Sequence, residues 1–441
     1  MRWKMKTKIK VVVQTKKKDV PGWPHINYDY DKETASVLTV LKAHNSDIDF
    51  DVFRYTHISE AEAAYPEDLK KYDGVLVLLM TNWINLDVFY ARKAKEGLPC
   101  IIADIPFCGS GSVLVRSIHT VREEHLPVPV IASANFNDIA KAVRVFVGIK
   151  KVKQSRILVV SNNIDKETQS AAKKIWGCTF INCNSEELMK RYHNINDTDA
   201  KVIKDKWISQ SEDILEATNQ DVSESAKLYL AIMEMYKEKK ADAVTIDCLS
   251  LSYNDIYGNN LHMYPCLAFF QMCEDGYVGV CEADIDSTIT SIFTKAITGR
   301  YGFVSDPVID TSSNQIIYAH CVSCRKLFGE QDKRLCKYYI RSHAEDKKGA
   351  AVQVIFPANE QLTTVNINNV DKTACIHSAV SVGNYGGDAG CRSKLAALCK
   401  SEEILNNWMP QWHRVTIFGN YTKEFVYLFK MMGFNIITED K

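Results

Sequence analysis

Short apolar runs recur along this chain, separated by helix-length amphipathic segments, and few architectures accommodate that alternation. Lys8–Gln14, Gly74–Leu79 and Pro99–Asp104 read as strands, with Asp31–Ala43 and Asp87–Lys95 as helices between them. A second series starts at Ser155: Arg156–Ser161 and Cys178–Asn182 are strands around a helix at Asp165–Trp176. A long polar helical stretch, Ser185–Ala241, breaks near Asn194–Asp199 and Gln220–Ser223. The strand Ala243–Asp247, the helix Leu261–Asp275, the strand Tyr277–Cys281 and the helix Ser287–Thr298 follow. Gly299 supplies that last helix with a C-cap.

Past Gly329 the texture changes. Ala350–Phe356, Leu362–Ile367 and Ala374–Val382 are short β-rich runs between polar turns, and Arg414–Phe418, Thr422–Met432 and Phe434–Thr438 return to strand–helix–strand. The predicted fold is therefore α/β: two Rossmann-like doubly wound domains over 1–154 and 155–328, then a C-terminal β-rich, antiparallel barrel-like domain over 329–441.

Composition narrows the function. Lys plus Arg equals Asp plus Glu at 54 each, so the formal charge is zero and no basic surface for nucleic acid is called for. The basic runs Met1–Lys10 and Lys16–Lys18 read as solvated charges around an edge strand. No apolar stretch nears the ~20 residues of a membrane span, and the apolar part of the opening segment is too short for a signal peptide. A cytosolic location is expected. The 14 cysteines are scattered, several in apolar runs, as reduced thiols would be. Cys321 and Cys324 form a lone CxxC, and a zinc ribbon needs a second pair. The loop Phe107–Ser112 (FCGSGS) follows a strand and lacks the dinucleotide fingerprint, which favours a tight turn over a phosphate cradle and speaks against a nicotinamide-dependent dehydrogenase.

Ligands of doubly wound sheets bind beyond the carboxyl ends of the strands. Three strands of the middle region end in chemically useful residues: Asp247; Glu282, Asp284 and Asp286; and His320. Three acids within five residues repel unless a cation lies among them, either a basic side chain or a metal. Asp286 precedes a helix and reads as its N-cap.

The stretch Pro265–Cys321 resembles the L-fucose isomerase/L-arabinose isomerase superfamily. There an acid-x-Asp element follows a strand, then come a helix ending in a Thr-Gly turn (Thr298-Gly299), an Asp-bearing loop (Asp306) and a His-Cys strand end (His320-Cys321). The tail from Trp412 is similar to the family's C-terminal segment, which places a metal-ligand histidine at His413. The resemblance implies an aldose–ketose isomerase using Mn²⁺ or another divalent metal, held by two acids and one histidine. Asp284 and His413 take two of those places. The family's first acid has no glutamate counterpart near Cys248, so Asp247 or Glu282 would fill it. Asp247 and Asp284 would then serve as acid and base on a deoxy or substituted sugar. His343, Arg392 and His320 are candidate sugar contacts, although His343 beside Glu345 also suits a surface ion pair. Arg392 suits an anionic substituent. A homo-oligomer, trimer or hexamer, is implied as well. The missing glutamate leaves a second reading open, a sugar-binding or regulatory protein that keeps the fold with altered catalysis.

Overall fold

A computed structural model describes residues 6–81, 84–109, 111–256 and 262–441. The chain forms two compact units: Met1–Lys150 with Lys423–Asn435, and Lys151–Thr422 with Ile436–Lys441.

The first unit holds five strands, β1 (Thr7–Gln14), β2 (Ile48–Tyr55), β3 (Gly74–Leu79), β4 (Cys100–Asp104) and β5 (Val130–Ala132). They lie parallel in the order β2-β1-β3-β4-β5. β3 and β4 are buried throughout, which explains their unbroken apolar sequences. β1 runs between β2 and β3 and is not the edge strand expected from its basic flanks. Lys10 is fully buried there, its ammonium 2.5 Å from the Asp68 carboxylate and 3.0 Å from the Tyr55 hydroxyl. Pairing tolerates the buried charge that solvation was expected to explain. The Phe107–Ser112 loop leads into a helix at Gly111–Glu123, and Ser110 lies outside the described residues. A Cβ at Gly109 would come within 2.1 Å of the Asp104 carboxylate, so only glycine fits that turn.

The second unit opens with a parallel sheet of β6 (Arg156–Val160), β7 (Thr179–Cys183), β8 (Ala243–Ile246) and β9 (Gly279–Cys281), ordered β7-β6-β8-β9. The polar stretch between β7 and β8 forms three helices, Ser185–Tyr192, Asp197–Gln210 and Asn219–Glu238, each N-capped by an Asn or Thr side chain. The helix expected from Leu261 spans Cys266–Glu274, and Leu261 itself lies outside the described residues.

β10 (Phe303–Asp310) and β11 (Gln315–His320) follow, then the two-stranded pair β12 (Tyr338–Arg341) and β13 (Ala351–Val354). Last come β14 (Gln361–Asn368), β15 (Thr373–Asn384), β16 (Ser393–Leu398), β17 (Arg414–Phe418) and β18 (Asn435–Thr438). β14, β17, β10, β11, β16 and β15 pair antiparallel in that order, and β15 pairs back to β14, closing a ring. The expected division at 328 falls inside this unit, where strands from both sides of it share one sheet. The core around Trp207, Phe269, Phe270, Tyr318 and Tyr338 is continuous across both parts of the unit. Among the described residues no helix is long and apolar enough to cross a membrane.

Candidate metal centre

β9 ends at Cys281, and the next two residues, Glu282 and Ala283, both take left-handed φ values (64° and 51°). Two consecutive non-glycine residues in that region are costly and persist only where neighbours fix them. Here the Ala283 amide is tied to the Ile246 carbonyl at the end of β8 (3.0 Å). Asp284 then starts the helix Ile285–Thr298: one carboxylate oxygen accepts from the Ser287 amide (2.8 Å). The N-cap expected at Asp286 is thus Asp284. Asp286 sits one position inside the helix, where its carboxyl accepts from the Asn369 and Gln411 side-chain amides.

The other oxygen of Asp284 accepts from His413 Nδ1 at 2.7 Å. His413, wholly buried just before β17, therefore presents Nε2 forward, 3.6 Å from Glu282 and 3.5 Å from Asp306. His320, at the end of β11, places Nε2 3.5 Å from the second oxygen of Glu282. Pairing of β10 with both β11 and β17 aligns Asp306, His320 and His413, which lie far apart in sequence. The four ligand atoms of Glu282, Asp306, His320 and His413 all fall within 4.8 Å of one another.

These separations are too long for hydrogen bonds. His413 Nε2 and both ring nitrogens of His320 are buried without a hydrogen-bond partner among the described residues. Buried polar atoms are rarely left so, and two carboxylates facing two imidazole nitrogens form a donor set fit for a divalent cation. The Asp284–His413 bond is the outer support such a site uses, fixing the ring and its tautomer.

Burial opposes charge on His413, but the Asp284 bond and carboxylate outweigh it and hold the imidazole up at about 9. Burial raises Glu282 and Asp284 too, yet the histidines facing each bring both below the ordinary carboxylate range. Asp306 is raised, chiefly by desolvation and further by the Glu282 charge. Asp286 is pushed to about 8 by burial, with Asp284 adding to it.

The remaining sequence-derived candidates stand elsewhere. Asp247, just past β8, accepts from the Ser161 hydroxyl (3.0 Å) and lines a recess of about 240 Å³ with Glu282, Asp284, Asp286, Gln411 and Trp412. It contributes no atom to the four-donor group. Arg392 is buried, not reaching outward, and is spoken for by the Ser342 carbonyl, the Ser342 hydroxyl and Asp388. His343 is buried; it stacks on Tyr264 at 3.8 Å beside the Cys321 thiol, with Nδ1 3.8 Å from the Asp346 carboxylate, so its acidic neighbour is Asp346 and not Glu345. The CxxC cysteines diverge, Cys321 towards His343 and Cys391, Cys324 towards Cys273. Asp306 joins the group although the sequence placed it only as the Asp-bearing loop of the resemblance and not among the candidate ligands. Its signal is slight, one acid beside Pro307 in a run too polar to read as a strand.

An α/β chain with a buried carboxylate–imidazole group at its strand ends is the class that fold and site define together. No family model matches it. Over 129 residues it is 26% identical to the sulfoquinovose isomerases of Priestia aryabhattai and of Priestia megaterium (strain ATCC 12872 / QMB1551). That match takes in 27% of this chain and spans 28% of the length of those relatives. A solved structure of a two-component response regulator/GGDEF domain protein covers 66% of this chain and 98% of its own at 12% identity, with a TM-score of 0.28. So low a score leaves no shared fold to argue from.

Proposed function

We propose that this chain is a metal-dependent aldose–ketose isomerase that moves a proton between C1 and C2 of a deoxy or substituted sugar by the enediol route. The quartet Glu282, Asp306, His320 and His413, with buried imidazole nitrogens that have no hydrogen-bond partner among the described residues, is the observation that carries the reading. Its mixture of carboxylates and imidazoles suits Mn²⁺. The similarity to sulfoquinovose isomerases supports the same class and puts sulfoquinovose among the sugars to try.

A divalent cation held by those four residues would offset the negative charge that develops on the sugar oxygens as the proton leaves carbon. The Asp306 side chain is 47% exposed, whereas that of Glu282 is 12% exposed and those of the histidines less. Asp306 is therefore the acid of the quartet that a sugar can reach. As the carboxylate within reach of the substrate it is placed to take up a proton and return it, with Glu282 as its partner. In this reading Asp284 orients His413, and Asp247 lines the recess that Glu282 borders.

An aldose panel including sulfoquinovose, followed by ketose formation and by C2 proton exchange, tests the reading. Turnover should cease in EDTA, return with Mn²⁺ and be lost in Asp306→Asn. Stoichiometric Mn²⁺ binding without exchange on any aldose would instead favour a sugar-binding protein that kept the site.

A further inference from the structure

A second recess lies in the first unit, at the C-terminal end of the helix Gly111–Glu123 and remote in sequence from the quartet. Its volume is about 400 Å³, within the range of small-molecule sites. The floor is apolar, made by Ile118, Val121, Leu126 and Val130. The rim carries Arg122, His125 and Lys430, and no carboxylate lines it.

The charges are what need explaining. Arg122 has no ion-pair or hydrogen-bond partner among the described residues, whereas Arg92, one helix away, is engaged with Glu124 through two nitrogens. Lys430 likewise has no such partner among the described residues. Burial lowers its ammonium and the nearby Arg122, itself exposed, lowers it further, so two cations stand close together at this rim. The C-terminal end of the helix offers only about half a negative charge, too little to balance both. His125, in left-handed conformation (φ 47°), follows the end of that helix and lines the same recess. Like charges gathered over an apolar floor are relieved by an anion with an organic body. A phosphate monoester carries about −1.5 to −2 charge and three acceptor oxygens, which matches an Arg–Lys pair.

We propose that this recess is a binding site for a small organic phosphate, separate from the quartet and from the reaction assigned to it. Titration calorimetry on the full chain in EDTA tests this without metal or turnover. The probes are glucose 6-phosphate, glycerol 3-phosphate and inorganic phosphate. At least one ester should bind saturably, at least fivefold tighter than inorganic phosphate, and weaken as salt is added. Binding should fall at least tenfold in both Arg122→Ser and Lys430→Met and stay unchanged in Lys372→Ala. Circular dichroism confirms that the variants remain folded, and Arg122→Glu repeats the test should one fail to. Three outcomes overturn the proposal: no saturable binding of either ester, inorganic phosphate binding as tightly as the esters, or affinity indifferent to Arg122 and Lys430. Binding of an acidic peptide in place of the esters also overturns it and makes the recess a protein-docking face.

Discussion

His413 gives its two ring nitrogens different work. Nδ1 donates to Asp284, and Nε2 is left facing Glu282 and Asp306. Asp284→Asn keeps an oxygen for the Ser287 amide but removes the charge that orients the imidazole. Mn²⁺ affinity, measured by calorimetry, should fall about 10- to 100-fold. Unchanged affinity would sink the idea that Asp284 supports the site. Asp286 offers a pH test. Its carboxyl stands at about 8 in the folded protein, against roughly 4 in an unfolded chain. The folded state therefore keeps a proton that the unfolded state releases. The stability this contributes is full below about pH 4 and is lost as pH rises towards 8, at up to roughly 1.4 kcal/mol per unit. Urea midpoints in EDTA at pH 5 and pH 8 should differ less in Asp286→Asn than in the parent; equal differences would refute the assignment.

At the scale of elements, the helix Ile285–Thr298 was legible to within two residues, because its apolar period and Gly299 are local signals, and Gly299 takes the left-handed φ of 69° a C-cap needs. β2 was not legible. Its sequence, IDFDVFRY, mixes charges with apolar residues because one flank of an edge strand meets solvent. β10 was missed for a related reason, since Ser305, Asp306 and Pro307 interrupt its apolar run, and Asp306 was read as a loop residue and not as a ligand. Glu282, His320 and His413 attract notice as residue types at strand ends. That they meet depends on β10 pairing with β11 and with β17, a strand about a hundred residues further on, which no local pattern encodes. Packing at β9 is equally hidden. A Cβ at Gly279 would lie 2.4 Å from the Phe269 ring, so Gly279→Ala must push the helix Cys266–Glu274 off its strand. A loss of about 1–3 kcal/mol in urea unfolding is expected, partly recovered in the double variant with Phe269→Leu. A neutral Gly279→Ala would contradict the packing.

For the whole molecule, the last twenty residues matter more than their position suggests. Glu439 is fully buried between Arg414 (2.7 Å) and His377 (2.7 Å). Removing its charge strands a buried guanidinium next to His413 and should cost about 3–5 kcal/mol. Glu439→Gln is accordingly expected to lower the urea midpoint and, through Arg414, to weaken Mn²⁺ binding. A midpoint like the parent's would mean the network is not strained by the loss. The segment just before it, Lys423–Asn435, belongs to the first unit, although 272 residues of the second unit intervene. On the ribosome this sets a waiting time. At about 5–20 residues per second, the N-terminal sheet emerges roughly 15–60 s before the helix that completes its unit. During synthesis the nascent sheet must endure without that segment, so the order of emergence and the order of assembly differ in this chain.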